Sequence, residues 1–301
     1  NELILKKDLK NYPDLKALSF WCRKKNILKL KKEFLTSNNK IGLGLAFHIT
    51  PSNIATNFAY SLIFGLLSGN SNIVKAPSRE FAEITIICKI IQKILKKKNT
   101  FLKNKITIIR YKNNDLLTKK FSMSCNARLI WGGDKTINDI KSFKTNERTL
   151  DITFADRYSF CIIDQSKISN LSNFELKNLV KKFYNDTYLV DQNACSSPHL
   201  IIWTGKKNKN SKELFWKELY NIVKIKYELT ESAPAEKYNN LCKYILNLKN
   251  IASVKTYENL IYKIKLNKLT LDNDSFRGKW GLFFEYELKD INHLKKFINN
   301  K

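Results

Sequence analysis

Cys195 stands in the segment QNACSSPH, just ahead of the apolar run LIIW. A cysteine that attacks a carbonyl carbon needs partial exposure at a turn or helix end. It also needs backbone N–H groups nearby, to favour first the thiolate and then an oxyanion. The small neighbours Ala194, Ser196 and Ser197 leave room for such access. The same surroundings also suit an ordinary turn cysteine. His199 lies four residues further on and would share a helical face with Cys195. Pro198 disfavours the helical conformation at Ser197, so His199 is read as structural. His48 and His293 are as isolated as His199, and three scattered histidines argue against a His-rich metal site.

Three further segments carry polar groups where a ligand could use them. In TPSNIATN, Asn53 sits at a strand-to-helix turn, where its amide could donate to a developing oxyanion or simply form the turn. In VKAPS and the residue after it, Lys75, Ser78 and Arg79 follow a strand and suit the ribose and phosphate of a nucleotide. In WGGDK, Gly132 and Gly133 would let backbone N–H groups approach a pyrophosphate at a helix N-terminus. No G-x-G-x-x-G accompanies them.

The elements that must position these groups are legible as alternation. IGLGLAFHI reads as a strand and AYSLIFGLLSGN as a helix closed by Gly69-Asn70. SNIVKAP is a strand and REFAEITIICKIIQKILKKK a long amphipathic helix. KITIIRY, ARLIWGG, TLDITFA and YSFCIID are further strands, with helices in NDLLTKKFSMS and DKTINDIKSFK. Strand–helix–strand alternation predicts a mostly parallel sheet covered on both faces. Beyond it, helices are expected over 172–188, 212–224 and 236–248, strands over 262–266 and in GKWGLFFEYEL, and a last helix from Asp290. The expected division is a helical lead-in over 1–40, a first domain over 41–168 and a second over 169–301.

Composition bounds the function classes. Hydrophobic residues make up 43% of the 301, which excludes general disorder. No apolar run reaches the roughly 18 residues of a membrane span. Lys and Arg number 54 against 27 Asp and Glu, a formal charge of +27. The lysines are spread along the whole chain beside Asn and Ile, as AT-rich codons would supply, so no nucleic-acid partner is expected. A phosphate-bearing substrate fits the excess as well as DNA does. Six cysteines without short-spaced pairs, behind the charged opening NELILKKDLKNYPDLK, point to reduced thiols and a cytoplasmic location. Cys88 and Cys161 lie in apolar runs and are expected to be inert core residues.

Taken in order, TPSNIATNFAYSLIFGLLSGNSNIVKAPS resembles the cofactor domain of the aldehyde dehydrogenase superfamily. HITPSN, LIWGGDKTI, DRYSFCIID and Q-x-A-C-x-S-P-H are similar to one branch of it, the LuxC-like acyl-CoA (fatty-acid) reductases. The resemblance is fullest over 41–199. It implies an α/β, aldehyde-dehydrogenase-like fold, with a Rossmann-type cofactor domain and an α/β catalytic domain. Cys195 would be the acylated nucleophile, with Asn53 and the Cys195 N–H holding the oxyanion. Lys75, Ser78 and Arg79 would contact the adenosine ribose or its phosphate, and Gly132, Gly133 and Asp134 would lie near the pyrophosphate. NADPH is the implied cofactor, with NADH as the alternative. The implied substrate is acyl-CoA or an acyl-carrier protein. An acyl-protein synthetase-like partner and a homo-oligomer are also implied, as is a longer chain at both ends.

One departure from the superfamily is informative. Its hydrolytic members carry a Glu-Leu-Gly-Gly segment whose glutamate activates water, and the comparable stretch ITFADRYSF has no Glu. Reduction of an activated acyl group needs no hydrolytic water. Asp156 could be offered as a substitute base, but the Asp156-Arg157 pair reads as structural. The expected activity is therefore NADPH-dependent reduction of an acyl thioester to an aldehyde. A non-catalytic subunit with the same fold is the alternative.

Overall fold

A computed structural model describes residues 12–34, 41–98, 100–112, 115–270, 272, 275–290, 292, 294, 295 and 298. His293 and the rest of the lead-in lie outside the described residues. The chain divides into two compact units, 1–156 and 157–301, each with its own sheet and core.

In unit 1, helices α1 (Pro13–Trp21) and α2 (Lys24–Phe34) precede β1 (Leu45–Ile49). There follow α3 (Asn57–Leu67), β2 (Ser71–Lys75), α4 (Ala82–Lys98), the short α5 (Thr100–Lys103) and β3 (Ile106–Ile109). The unit continues with α6 (Asp115–Ser124), β4 (Ala127–Gly132), α7 (Asp134–Lys141) and β5 (Leu150–Ala155). The strand order is β3-β2-β1-β4-β5, parallel throughout. Leu15 and Leu18 of α1 pack with Phe58 and Leu62 of α3, Val74 of β2 and Ile84 and Ile87 of α4. On the other face Phe47, Ile49 and Ile130 pack with Ile137 of α7. Gly69 ends the α3 connection at φ +84°, the left-handed position the sequence leads one to expect. Cover fails only at the margin: β5 is exposed along its whole length.

A buried polar network joins β1, α3 and β2. His48 is fully buried, with Nδ1 2.8 Å from Ser61 Oγ and Nε2 2.9 Å from Asn72 Oδ1. Asn72 Nδ2 donates to Asn70 O at 2.8 Å, and Asn70 Oδ1 accepts from the Gly44 N–H. Since Oδ1 only accepts, His48 Nε2 carries the proton and Nδ1 accepts from Ser61. A Cβ at Gly65 would come within 2.0 Å of Asn72 Oδ1, so only glycine lets α3 lie this close. Across the sheet, Arg128 of β4 is 2% exposed and grips Asp151 of β5 in two bonds of 2.6 Å. Its Nη1 also donates to the carbonyls of Ile140 and Phe143, at the end of α7. A bidentate pair backed by two further hydrogen bonds to carbonyls is what makes a buried arginine tolerable.

Unit 2 contains β6 (Ser159–Asp164), the short α8 (Gln165–Ile168), α9 (Asn173–Thr187), β7 (Pro198–Thr204) and α10 (Lys209–Lys226). It continues with α11 (Ala233–Asn247), β8 (Ile251–Tyr257), β9 (Ile261–Leu266) and β10 (Leu282–Glu287). The order is β6-β7-β10-β9-β8, parallel except for the β8–β9 hairpin. Side chains alternate between two cores. Ile201, Trp203 and Phe283 face α9 and α10, whereas Leu200, Ile202 and Phe284 face α11. On the first face Glu285 Oε2 accepts from the indoles of both Trp203 and Trp216, at 3.1 and 3.2 Å. Ser172 and Glu175 close α9 with a reciprocal capping box.

One expectation is corrected. The division falls at Asp156/Arg157 rather than at 168/169, because β6 pairs with β7 of the second sheet, Phe160 opposite Leu200. Strand β8 is an addition to the expected elements: IASVKTY has no buried residue and pairs along only one side.

Burial lowers the His48 pKa from its ordinary 6.5, the Asn72 hydrogen bond partly opposing the shift. The folded form thus binds fewer protons than the unfolded form below 6.5. The stability His48 contributes is complete above that pH and is lost as pH falls through the lower native value. In denaturant titrations, wild type should therefore exceed His48→Gln in stability near pH 7.5, and the gap should narrow progressively as pH falls below 6.5. A gap that stays constant over that range would contradict the neutral, buried histidine.

Candidate active site

In an open parallel sheet, ligands bind beyond the carboxyl ends of the strands, where the strand order reverses. In unit 1 that reversal lies between β1 and β4. The chain leaves β1 through Thr50 to Asn53 and leaves β4 through Gly132 to Asp134. On the neighbouring β2, Lys75 is the last residue, with Ser78 and Arg79 in the exposed loop that follows. The unit 1 residues singled out in the sequence thus share one end of one sheet.

Their surroundings suit an anionic dinucleotide. Thr50 Oγ1 donates to Lys75 O at 2.6 Å, tying β1 to β2 at this end. The Lys75 amine lies 4.5 Å from the centre of the Tyr111 ring. Desolvation lowers its pKa, the Asp115 carboxylate opposing. Arg79 is exposed, its guanidinium 5.2 Å from the Phe81 ring centre. Gly133 caps α7, and a Cβ added there would meet nothing within 4 Å. The open flank and the helix's positive end are what a phosphate requires. Asp134 begins α7 and brings a negative charge to its first turn, so its backbone rather than its carboxylate suits a phosphate. Asn53 is exposed at the turn after β1.

Cys195 lies in unit 2, on the turn between α9 and β7, and is the one exposed thiol of the six. Burial pushes four of the others away from reactivity: it raises Cys22 and Cys88, takes Cys125 to about 11, and takes Cys161 to about 12 with help from the Asp186 carboxylate. Cys88 and Cys161 pack against the cores, as their apolar runs lead one to expect.

The turn that carries Cys195 is tightly made. Asp191 and Gln192 both take the left-handed conformation, at φ 53° and 57°. Tyr227 donates to Asp191 Oδ1. The side chain of Gln192 is 1% exposed and uses both ends of its amide. Oε1 accepts from the Gly281 N–H at 2.8 Å, and Nε2 donates to the carbonyls of Leu282 and Pro198, each at 3.3 Å. Beyond Cys195, Ser197 Oγ donates to Asp186 O at 2.6 Å, and Ser159 Oγ donates to Cys195 O at 2.6 Å. The Cys195 N–H makes no hydrogen bond with the described residues and is free to donate to an oxyanion.

His199 lies away from solvent. It opens β7 buried, and its Nδ1 donates to Gly278 O at 3.1 Å. Among the described residues no cluster of His, Cys, Asp and Glu could hold a metal ion. Gln192, Tyr227, Asp191 and Ser159 are the residues that sequence reasoning did not single out. Gln192 lies inside the QNAC segment, but its partners in 281–282 are far along the chain.

The comparisons with known proteins bear on the fold and the family. No curated protein sequence matches. Among solved structures, a NAD-dependent benzaldehyde dehydrogenase from Corynebacterium glutamicum matches at TM-score 0.61 and 13% identity, over 91% of this chain and 64% of that one. Aldehyde dehydrogenase 21 from Physcomitrella patens, solved with succinate, matches at 0.59 and 12%, over 86% and 54%. The glyceraldehyde-3-phosphate dehydrogenase GapN from Methanocaldococcus jannaschii, complexed with NADP, matches at 0.55 and 15%, over 87% and 63%. The chain therefore spans between half and two thirds of the length of these enzymes, and at such identities the likeness is one of fold. The sequence model of the acyl-CoA reductase (LuxC) family matches residues 6–264. With an aldehyde-dehydrogenase fold and a family match across most of its length, the chain belongs to the acyl-CoA reductase (LuxC) family.

Proposed function

We propose that this protein reduces an acyl thioester to an aldehyde through an acyl-Cys195 intermediate, with NADPH as reductant. The observation that carries the reading is Cys195 itself, the one exposed thiol, on a turn that buried hydrogen bonds hold in place. The Cys195 thiolate attacks the thioester carbonyl carbon. A carbon–sulfur bond forms, and the carbonyl oxygen becomes an oxyanion. The Cys195 N–H and the Asn53 amide are the donors proposed for that oxygen. When the oxyanion collapses, the bond to the carrier sulfur breaks, and the carrier leaves as a thiolate that takes a proton from water. The nicotinamide, when bound, supplies a hydride to the acyl carbon. The resulting thiohemiacetal on Cys195 expels the cysteine thiolate and releases the aldehyde.

For the cofactor, Lys75 and Ser78 would bind the adenosine ribose, and Arg79 the 2′-phosphate. The backbone at Gly132, Gly133 and Asp134 would meet the pyrophosphate. NADH in place of NADPH is the alternative. The lack of Glu in ITFADRYSF supports reduction over hydrolysis, since water at that point would discard the acyl group as free acid. The proposed carriers, CoA or an acyl-carrier protein, are anionic, and the +27 charge favours their capture. Among the described residues no helix is long and apolar enough to cross a membrane.

Mixing the protein with acyl-CoAs of several chain lengths, without cofactor, should give one acyl adduct by intact mass. It should map to Cys195 and disappear on adding NADPH. Cys195→Ala should lose the adduct and at least about 10³-fold in turnover. No adduct with CoA or carrier-protein thioesters would favour a non-catalytic subunit. Independently of substrate, iodoacetamide should alkylate Cys195 faster than the other five cysteines.

Two substitutions in unit 1 separate the oxyanion role from the cofactor role. Asn53→Ala should lower kcat on the order of 10²-fold, with the KM for NADPH unchanged. Arg79→Ala should raise the KM for NADPH and leave that for NADH as it was. An equal effect on both cofactors would remove Arg79 from the 2′-phosphate.

A further inference from the structure

Lys237 of α11 is fully buried, yet among the described residues it has no acidic partner. Its Nζ donates to the carbonyls of Asn259, in the β8–β9 turn, and Trp280, just ahead of β10, the latter at 2.8 Å. The amine also lies 4.6 Å from the centre of the Tyr262 ring. Among the described residues no charged group offsets that burial, and the acidic residues Glu258, Glu213 and Asp191 have partners of their own in Lys224, Lys263 and the Tyr227 hydroxyl. Burial alone lowers the pKa to about 7. A buried lysine without a counter-ion is costly unless its hydrogen bonds hold something that matters.

What it holds is strained backbone. Glu258 and Trp280 both sit at positive φ, 47° and 52°, in conformations that side-chain-bearing residues rarely adopt. Gly281 follows at φ +86°, and a Cβ there would come within 2.2 Å of Leu260 O, so the 280–281 corner has little freedom. That corner is the one against which the nucleophile turn rests. The Gly281 N–H donates to Gln192 Oε1, and the Trp280 N–H reaches Asp191 O at 3.4 Å. Gln192 lies three residues before Cys195.

We propose that Lys237 is a positioning residue for the nucleophile turn, fixing the Trp280–Gly281 corner on which Gln192, and through it Cys195, is set. It touches neither Cys195 nor, on the proposed chemistry, the substrate. A neutral amine keeps two N–H groups for two carbonyls, so the clamp holds on either side of neutral pH. The link to catalysis rests on Cys195 being the nucleophile, whereas the clamp itself does not.

The test is amide hydrogen exchange, resolved by residue, on the full chain. Lys237→Met keeps the length of the side chain and removes its donors. It should raise exchange at the Gln192 and Gly281 N–H groups by about tenfold or more, the equivalent of one hydrogen bond to a charged group, while the α10 amides keep their protection. Lys237→Gln, whose amide can still donate, should restore part of that protection, and it replaces the Met variant if the latter does not fold. The rate of acyl-Cys195 formation should fall in Lys237→Met with the KM for the thioester unchanged. Exchange at Gln192 and Gly281 within twofold of wild type would overturn the proposal. So would a rise shared equally by every amide of unit 2, the mark of global destabilisation. Selective loss of protection in a protein whose wild type forms no acyl adduct leaves the clamp standing and removes only the proposed reaction.

Discussion

A nucleophile must be open to its substrate and fixed in space, two demands that conflict on a surface turn. For Cys195 in its proposed role, the buried amide of Gln192 reconciles them. It exhausts its bonding on the backbone of Gly281, Leu282 and Pro198, while Cys195, three residues away, stays exposed. Because Pro198 and Leu282 begin β7 and β10, adjacent central strands of the second sheet, the turn inherits the rigidity of the sheet. The left-handed residues Asp191 and Gln192, the Tyr227 hydroxyl and the Ser159 and Ser197 hydroxyls all serve the same end.

Unit 1 follows the same logic with different chemistry. Its sheet places Asn53, Lys75 and Gly132 at the carboxyl ends of three adjacent strands. The His48–Ser61–Asn72 network ties α3 to β1 and β2, and the Arg128–Asp151 pair ties β4 to β5 and the end of α7. The first is buried and the second half-buried, and such hydrogen-bonded polar groups favour one register over any other apolar packing of the same elements.

The period-two and helical patterns identify most elements, since a parallel sheet buries its strands and leaves amphipathic helices above and below. The pattern fails where burial does. Strand β8 carries polar and charged residues at a sheet margin and does not read as a strand. Strands β5 and β6 both read correctly, yet nothing in their composition tells which sheet each joins. The sequence pattern places a boundary near 168, whereas the pairing of β6 with β7 sets the division at 156/157.

Local composition by itself determined which residues are equipped for chemistry. A cysteine among small residues before a strand, glycines before a helix and basic groups after a strand are properties of neighbours in the chain. The Pro198 ring even decides that His199 cannot join Cys195 on a helix. Only the tertiary structure decided what holds those residues. Gln192 and Gly281 are separated by 89 positions, and Lys237 and Trp280 by 43. Such pairs are made by strand order and packing, so they leave no signal in the spacing of residues along one segment.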